Sequence, residues 1–286
     1  PMTLLYTSGT TGVPKGVVLT HANVIRTVEA ALEAIGGDRF RLEVGLRVLP
    51  LAHALERITG HFIVIYRGGL SAQVRGMDTI AADLRTLRPD FAPLVPRVYE
   101  KAYAAISTRV EGAGALPQRI FGWAVHVGIE RSRLVERGAA VPASVALRWA
   151  VADRLVFRAI REGFGGRIEF LGSGGAPLSV EVARFFHAAG LTICEAWGAT
   201  ETTAPATTNT PERVRFGSVG RPLPGVEVRL APDGELLVRG VNVFREYYKD
   251  GIATADAFDA DGFYRTGDVG RIDEDGFVYI TDRKKE

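Results

Sequence analysis

The chain has 286 residues, of which 47% are hydrophobic and 24% charged, and a formal net charge of +2, the make-up of an ordinary globular protein of about two domains. So small a charge excess does not argue for nucleic acid, and the single cysteine, Cys194, rules out an internal disulfide and fits a reducing compartment. With no apolar run near the ~20 residues that span a bilayer and no signal peptide at the start, a cytoplasmic protein is expected.

In chain order, Thr3-Leu-Leu-Tyr6 and Val17-Val-Leu19 read as strands either side of a Gly/Thr-rich loop. Thr20 can cap a helix running to about Ile35, stopped by Gly36-Gly37. Val48-Leu-Pro-Leu51 reads as a short strand and Leu55 to Tyr66 as a helix. Thr79 to Leu87 is expected to be helical, and Phe91 to Val95 extended. A long helical stretch, Leu116 to Glu162, is broken near Gly138 and Pro142. Its later half places Leu147, Val151, Leu155, Val156 and Ala159 at helical spacing, with Arg148, Arg154, Arg158 and Arg161 around them. Such a helix can lie on an anionic membrane. Packing of the apolar stripe on the domain is commoner and is expected here, with peripheral membrane contact as the alternative. Arg167 to Leu171, a helix from Ser179 to Ala189 and Leu191 to Ala196 form a βαβ unit, with Cys194 in a buried strand. This alternation predicts an α/β fold, a parallel sheet flanked by helices. From Gly217 onward, β-rich segments at 226–230, 235–239 and 277–280 alternate with Pro-Asp-Gly, Asp-Ala-Asp-Gly and Asp-Glu-Asp-Gly turns, predicting a small antiparallel, barrel-like sheet.

Three stretches carry chemistry. In Tyr6-Thr-Ser-Gly-Thr-Thr-Gly-Val-Pro-Lys-Gly16, glycines let the backbone approach a ligand closely. Hydroxyls and N–H groups of Thr7, Ser8, Gly9, Thr10, Thr11 and Gly12 can form an anion-binding concavity to which Lys15 adds a point charge. That suits a polyphosphate, although the nucleotide P-loop is excluded because Gly16, not Ser or Thr, follows the lysine. A plain hairpin tip is the alternative. Gly174-Gly175-Ala176-Pro177 lies at the carboxyl end of a strand, where open α/β sheets place ligands. It could also be only a tight turn. In Glu195-Ala196-Trp197-Gly198-Ala199-Thr200-Glu201, Trp197 offers a flat face to a purine. Thr200 can donate to a phosphate, and Glu201 is a hard oxygen ligand for Mg²⁺. Taken singly, a residue such as Trp197 is more often core and one such as Glu201 more often solvated.

These stretches, with Tyr264-Arg-Thr-Gly-Asp268 and Asp282-Arg283-Lys284, resemble in order the signatures of the adenylate-forming, AMP-binding enzymes. Leu49-Pro-Leu-Ala-His53-Ala-Leu-Glu-Arg57 and Val95-Pro-Arg-Val-Tyr-Glu-Lys-Ala-Tyr103 look most like long-chain fatty acyl-CoA synthetases. The resemblance implies ATP-dependent formation of acyl-adenylate and then acyl-CoA, with ATP, Mg²⁺ and coenzyme A. It gives Lys15, Thr200 and Glu201 catalytic roles, with Thr7 and Glu201 at the metal. Residues 174–177 and 195–200 would hold adenine and phosphate. Asp268 and Arg283 would contact the ribose, His53 would lie beside the acyl site, and Lys284 would be the hinge of a C-terminal lid. The implied divisions are 1–45, with the phosphate loop; 46–205, an α/β part; 206–281, β-rich; and 282–286, a hinge. Glu246 departs from the family, which usually has Gly there, so an altered turn is expected. The abrupt ends suggest a piece of a longer protein, expected by itself to bind nucleotide weakly and make no acyl-CoA. Other readings are an acyl-AMP ligase feeding a carrier protein, an aryl or amino-acid activator, or a nucleotide-binding module without turnover. A phosphotransferase is disfavoured.

Overall fold

The computed structural model describes residues 1–7 and 14–284. Strands β1 (Thr3–Thr7) and β2 (Lys15–Leu19) pair antiparallel, with Thr7 opposite Lys15, at the two ends of the phosphate-loop candidate. Ser8, Gly9, Thr10, Thr11 and Gly12 lie outside the described residues. Helix α1 (His21–Ala34) begins at a reciprocal cap: Thr20 Oγ1 accepts from Asn23 N, and Asn23 Oδ1 accepts from Thr20 N.

The main sheet has seven strands. Five run parallel: β3 (Val44–Arg47), β4 (Leu70–Gln73), β5 (Phe91–Leu94), β6 (Phe170–Ser173) and β7 (Ile193–Ala199), in the order β4-β3-β5-β6-β7. Antiparallel β8 (Ala204–Thr208) and β9 (Arg221–Pro222) complete it. The strand expected at 48–51 instead ends at Arg47. Pro50 has no N–H for a ladder, and Leu49 N donates to the Glu56 carboxylate at 2.8 Å. The helix that follows is wound as a π-helix over Glu56–Phe62 and passes into α2 (Ile63–Tyr66).

Helices α3 (Ile80–Leu87), α4 (Pro96–Glu111), α5 (Ala115–Glu136), α6 (Ala143–Ala152) and α7 (Arg158–Gly163), with a π-wound turn over Asp153–Phe157, precede α8 (Val180–Ala188). One apolar core lies under α1, α2 and the hairpin, and a second under α4 to α8. The expected packing of the 147–159 stripe is not what forms. Val145, Ala152, Phe157 and Ile160 are buried, whereas Leu147 is 69% exposed, Val151 47% and Leu155 58%. The segment carries two apolar stripes. The one bearing the larger aromatic side chains, Trp149 and Phe157, faces the core, and periodicity alone could not choose between them.

The β-rich part is a four-stranded antiparallel sheet in the order β10 (Val226–Leu230), β11 (Glu235–Gly240), β13 (Tyr264–Ile272), β14 (Val278–Arg283). Its turns work alike: Asp259 Oδ1 accepts from Asp261 N and Phe263 N, and Asp273 Oδ1 accepts from Asp275 N and Phe277 N. Strand β12 (Glu246–Tyr247) leaves this region and pairs with β2 at Val17 and Val18, making a third sheet. Glu246 therefore lies in a strand. The left-handed residue of that segment is Lys249, φ 56°.

Candidate active site

The Ala196–Ala199 segment lies on β7 itself rather than after it, because β8 folds back antiparallel and extends the ladder past Trp197. The reversal is tight. A Cβ on Gly198 would sit 1.7 Å from the Ala204 carbonyl oxygen, so only glycine fits there. Thr202 Oγ1 spans the turn by donating to Ala204 O at 2.9 Å and accepting from Ala199 N at 2.8 Å. Thr203 and Ala204 are both left-handed, with φ 54° and 72°, a strain that clusters at functional sites. This turn holds Thr200 partly exposed and Glu201 buried.

Glu201 Oε1 accepts from the Tyr247 hydroxyl at 2.9 Å. The Lys15 ammonium lies 5.2 Å from the centroid of the Tyr247 ring, within cation–π range. Tyr247 thus joins the lysine beside the phosphate loop to the carboxylate of the 200–202 turn. Burial, then the Glu201 charge, pushes its hydroxyl pKa well above the usual phenol range, so it stays a donor. Tyr247 escaped the sequence reading. The signal that could have found it is the aromatic run Phe244 to Tyr248, which β12 carries against β2. Phe244, Tyr247, Phe258 and Tyr264 stack into one cluster beneath it.

A second junction joins the two large sheets. Trp197 Nε1 donates to Asp268 Oδ2 at 2.8 Å, and Arg283 Nε lies 3.7 Å from Asp268 Oδ1. Asp268 and Arg283 are register partners on β13 and β14, so that pair follows from the sheet alone. Beside them Lys284 Nζ is anchored to Asp233 at 2.6 Å and to buried Glu235 at 2.7 Å, which raises its pKa. Gly174 to Pro177 form the loop between β6 and α8. Gly175 has φ 82° with open space where a side chain would be. Glu195 is buried, and its pKa is pushed up to about 7 by desolvation, against hydrogen bonds from the Leu178 and Gly217 backbone.

An apolar cleft of about 560 Å³, counting its open mouth, lies between α1, the π-helix and strands β5 to β8. Ala31, Leu55, Thr59, Phe170, Cys194 and Ala196 are among the residues that line it. Burial pushes the Cys194 thiol far up, which makes it inert wall. His53 is exposed and does not line this cleft, which meets Leu55 instead. Among the described residues no group of three His, Cys, Asp or Glu side chains gathers to hold a metal ion. One carboxylate helped by substrate phosphates, as Glu201 could supply, is nevertheless how Mg²⁺ is commonly held.

Comparison with known proteins bears on the family and the fold. Residues 1–248 match the AMP-binding enzyme family. The chain is 40% identical over 290 residues to a putative fatty-acid–CoA ligase, fadD11, of Mycobacterium tuberculosis, covering 100% of this chain and 50% of that protein. It is 37% identical to long chain acyl-CoA synthetase 6, peroxisomal, of Arabidopsis thaliana, covering 99% of this chain and 41% of that one. The chain thus spans about half the length of the curated relatives it matches. Among solved structures, a malonyl-CoA ligase ternary product complex with methylmalonyl-CoA and AMP superposes with a TM-score of 0.68 at 30% identity, over 99% of this chain and 53% of that one. Apo MatB of Rhodopseudomonas palustris superposes with a TM-score of 0.70 at 25% identity, over 99% of this chain and 48% of that one. With the fold, the ordered motifs and the family match in agreement, the chain belongs to the AMP-binding enzyme family of adenylate-forming enzymes.

Proposed function

We propose that the intact protein activates a long-chain fatty acid in two steps. A carboxylate oxygen attacks the α-phosphorus of ATP, the bond to the bridging oxygen breaks, and pyrophosphate leaves with the electron pair. The thiolate of coenzyme A then attacks the acyl carbonyl, and AMP leaves. No protein nucleophile is required, so the chain's contribution is positioning and charge stabilisation.

The motif resemblance supplies the roles, and the geometry is compatible with them. Lys15, with the 7–12 loop, binds the β- and γ-phosphates. Trp197 and the 174–177 loop hold the adenine, and Asp268 with Arg283 the ribose. Thr200 hydrogen-bonds a phosphate. Mg²⁺, held by Glu201 with Thr7 and the phosphates, would offset the charge that develops on departing pyrophosphate. Tyr247 keeps Glu201 aimed by its hydrogen bond. The acyl tail takes the cleft, whose uncharged and mainly apolar wall favours a hydrocarbon over an amino-acid or aryl carboxylate bearing charged groups.

The observation that carries this reading is the shared position of Ala196. It lines the cleft and immediately precedes Trp197 on one strand, which supports a shared path for acyl group and nucleotide. Carboxylate-dependent pyrophosphate exchange by the full-length parent protein, across fatty acids of increasing length, tests it. Exchange should rise with chain length, and AMP release should depend on coenzyme A. Exchange without coenzyme A turnover would indicate a ligase feeding a carrier protein. Nucleotide binding without exchange would leave a module without turnover.

A further inference from the structure

Helices α5 and α6 form an antiparallel hairpin on the outer side of the second core. Its register is set by the Arg148–Glu130 pair at 2.9 Å and by Arg131 stacked 4.6 Å over the Trp149 ring. Helix α5 also contacts the 153–157 turn, so the hairpin runs on toward its exposed Trp123 and Arg119. The inward face of the 143–163 segment is spent on the core, through Val145, Trp149, Ala152, Phe157 and Ile160. The outward face is also apolar. It carries Leu147, Val151 and Leu155 one turn apart, with Ala143, Ala146, Ala150 and Ala159 around them, all exposed.

The charges beside this stripe are of one sign in effect. Arg154 and Arg158 stand on it, Arg148 flanks it, and Arg119 and Arg133 project from α5. The carboxylates within reach are already engaged: Glu130 by Arg148, Asp153 by Arg161, and Glu162 by Arg158 at 3.9 Å. Among the described residues Arg154 makes no ion pair. An apolar ridge flanked by an exposed tryptophan and by more arginines than carboxylates complements a surface that is negatively charged outside and hydrocarbon within. A second protein copy would bring the same arginines against themselves, which disfavours self-association through this face.

We propose that the outer face of residues 143–159, with Trp123, docks the protein on an anionic lipid bilayer. No helix among the described residues is long and apolar enough to cross a membrane, so the contact is interfacial: leucines and valine enter the acyl boundary, and arginines meet phosphate headgroups. Docking there would bring a ligase to the phase in which its amphiphilic substrate collects, although the inference stands on the helix face and not on that substrate.

Co-sedimentation of the full-length protein with vesicles tests it, using phosphatidylglycerol mixed into phosphatidylcholine against phosphatidylcholine alone. Binding should require the anionic lipid and weaken as salt is raised. Leu147→Asp with Leu155→Asp should lower the vesicle partition coefficient by at least about tenfold, and Arg154→Glu with Arg158→Glu by a comparable factor. Because these side chains face outward, melting temperature and activity on a water-soluble, short-chain carboxylate should stay near wild type. Equal vesicle binding by both double variants would overturn the proposal. So would a wild-type dimer in sedimentation velocity that the variants lose without any change in vesicle binding.

Discussion

The proposed nucleotide half of the site and the proposed acyl half are built by different means. The nucleotide half is tied by directional bonds between residues far apart in sequence: Trp197 to Asp268, and Tyr247 to Glu201. It therefore forms only when three sheets are in place. The cleft is walled by close-packed side chains from α1, the π-helix and neighbouring parallel strands, and no single hydrogen bond defines it. The first half should thus be sensitive to the loss of one charge or one donor. The second should be sensitive to volume and to buried charge.

The largest effect should come from the carboxylate of the 200–202 turn. Glu201→Gln keeps an acceptor for Tyr247 but removes the negative charge. In the full-length protein it should lower pyrophosphate exchange by about 10²–10³, the scale for losing one transition-state stabiliser, with little change in melting temperature. An unchanged rate with unchanged Mg²⁺ dependence would remove Glu201 from the metal role.

The carboxylate behind the cleft should behave in the opposite way. Glu56 is fully buried in the π-helix; Leu49 N bonds one of its oxygens, while the other, Oε1, has no hydrogen-bond partner. Desolvation raises its pKa from 4.5 to about 7, against backbone hydrogen bonds and the Arg47 charge. The native state therefore keeps a proton that the unfolded chain has lost, so stability falls as pH rises through that window. Glu56→Gln mimics the protonated form and should remove roughly 3 kcal/mol of this pH dependence, read from denaturant midpoints at several pH values. Glu195, shifted in the same direction, would leave its own share in both proteins, and the difference between the two curves isolates Glu56. A difference curve flat from acid to alkaline pH would show that Glu56 is charged in the fold.

Volume tests the cleft more gently. Ala31 is 6% exposed and faces it from α1. Ala31→Leu should occupy space meant for a few methylenes, each worth about 0.8 kcal/mol. The ratio of kcat/KM for long over short fatty acids should fall about tenfold or more. An unchanged ratio would place the acyl tail elsewhere.

The sequence made the layers legible because helix caps, glycine stops and the βαβ alternation are local signals. Thr20 with Asn23, and Gly36 after Ile35, behave as their chemistry dictates. The motif order likewise pointed to Trp197, Asp268 and Arg283, which the fold brings together. What stayed hidden depends on tertiary choice. Glu56 draws Leu49 out of the sheet, two apolar stripes compete for one core in 143–163, and β12 delivers Tyr247 across from another part of the chain. Strand β13 was visible only as a motif, since its pairing with β11 and β14 is long-range.

The smallest effect should also be the most discriminating. Trp197→Ala removes the ring and should raise the KM for ATP by an amount equivalent to about 1–3 kcal/mol, the range for a base-stacking aromatic. Trp197→Phe keeps an aromatic face and loses only the N–H given to Asp268. A hydrogen bond of this kind is worth about 1 kcal/mol net, so the KM should rise about fivefold and the melting temperature should hold. If Asp268 must instead release the indole before it can accept the ribose hydroxyls, Phe would free it in advance and the KM would fall. A rise therefore means that the tryptophan orients the carboxylate for nucleotide. A fall means that the pair is a latch closed when no nucleotide is present, and the stacking role would then rest on the Ala variant alone.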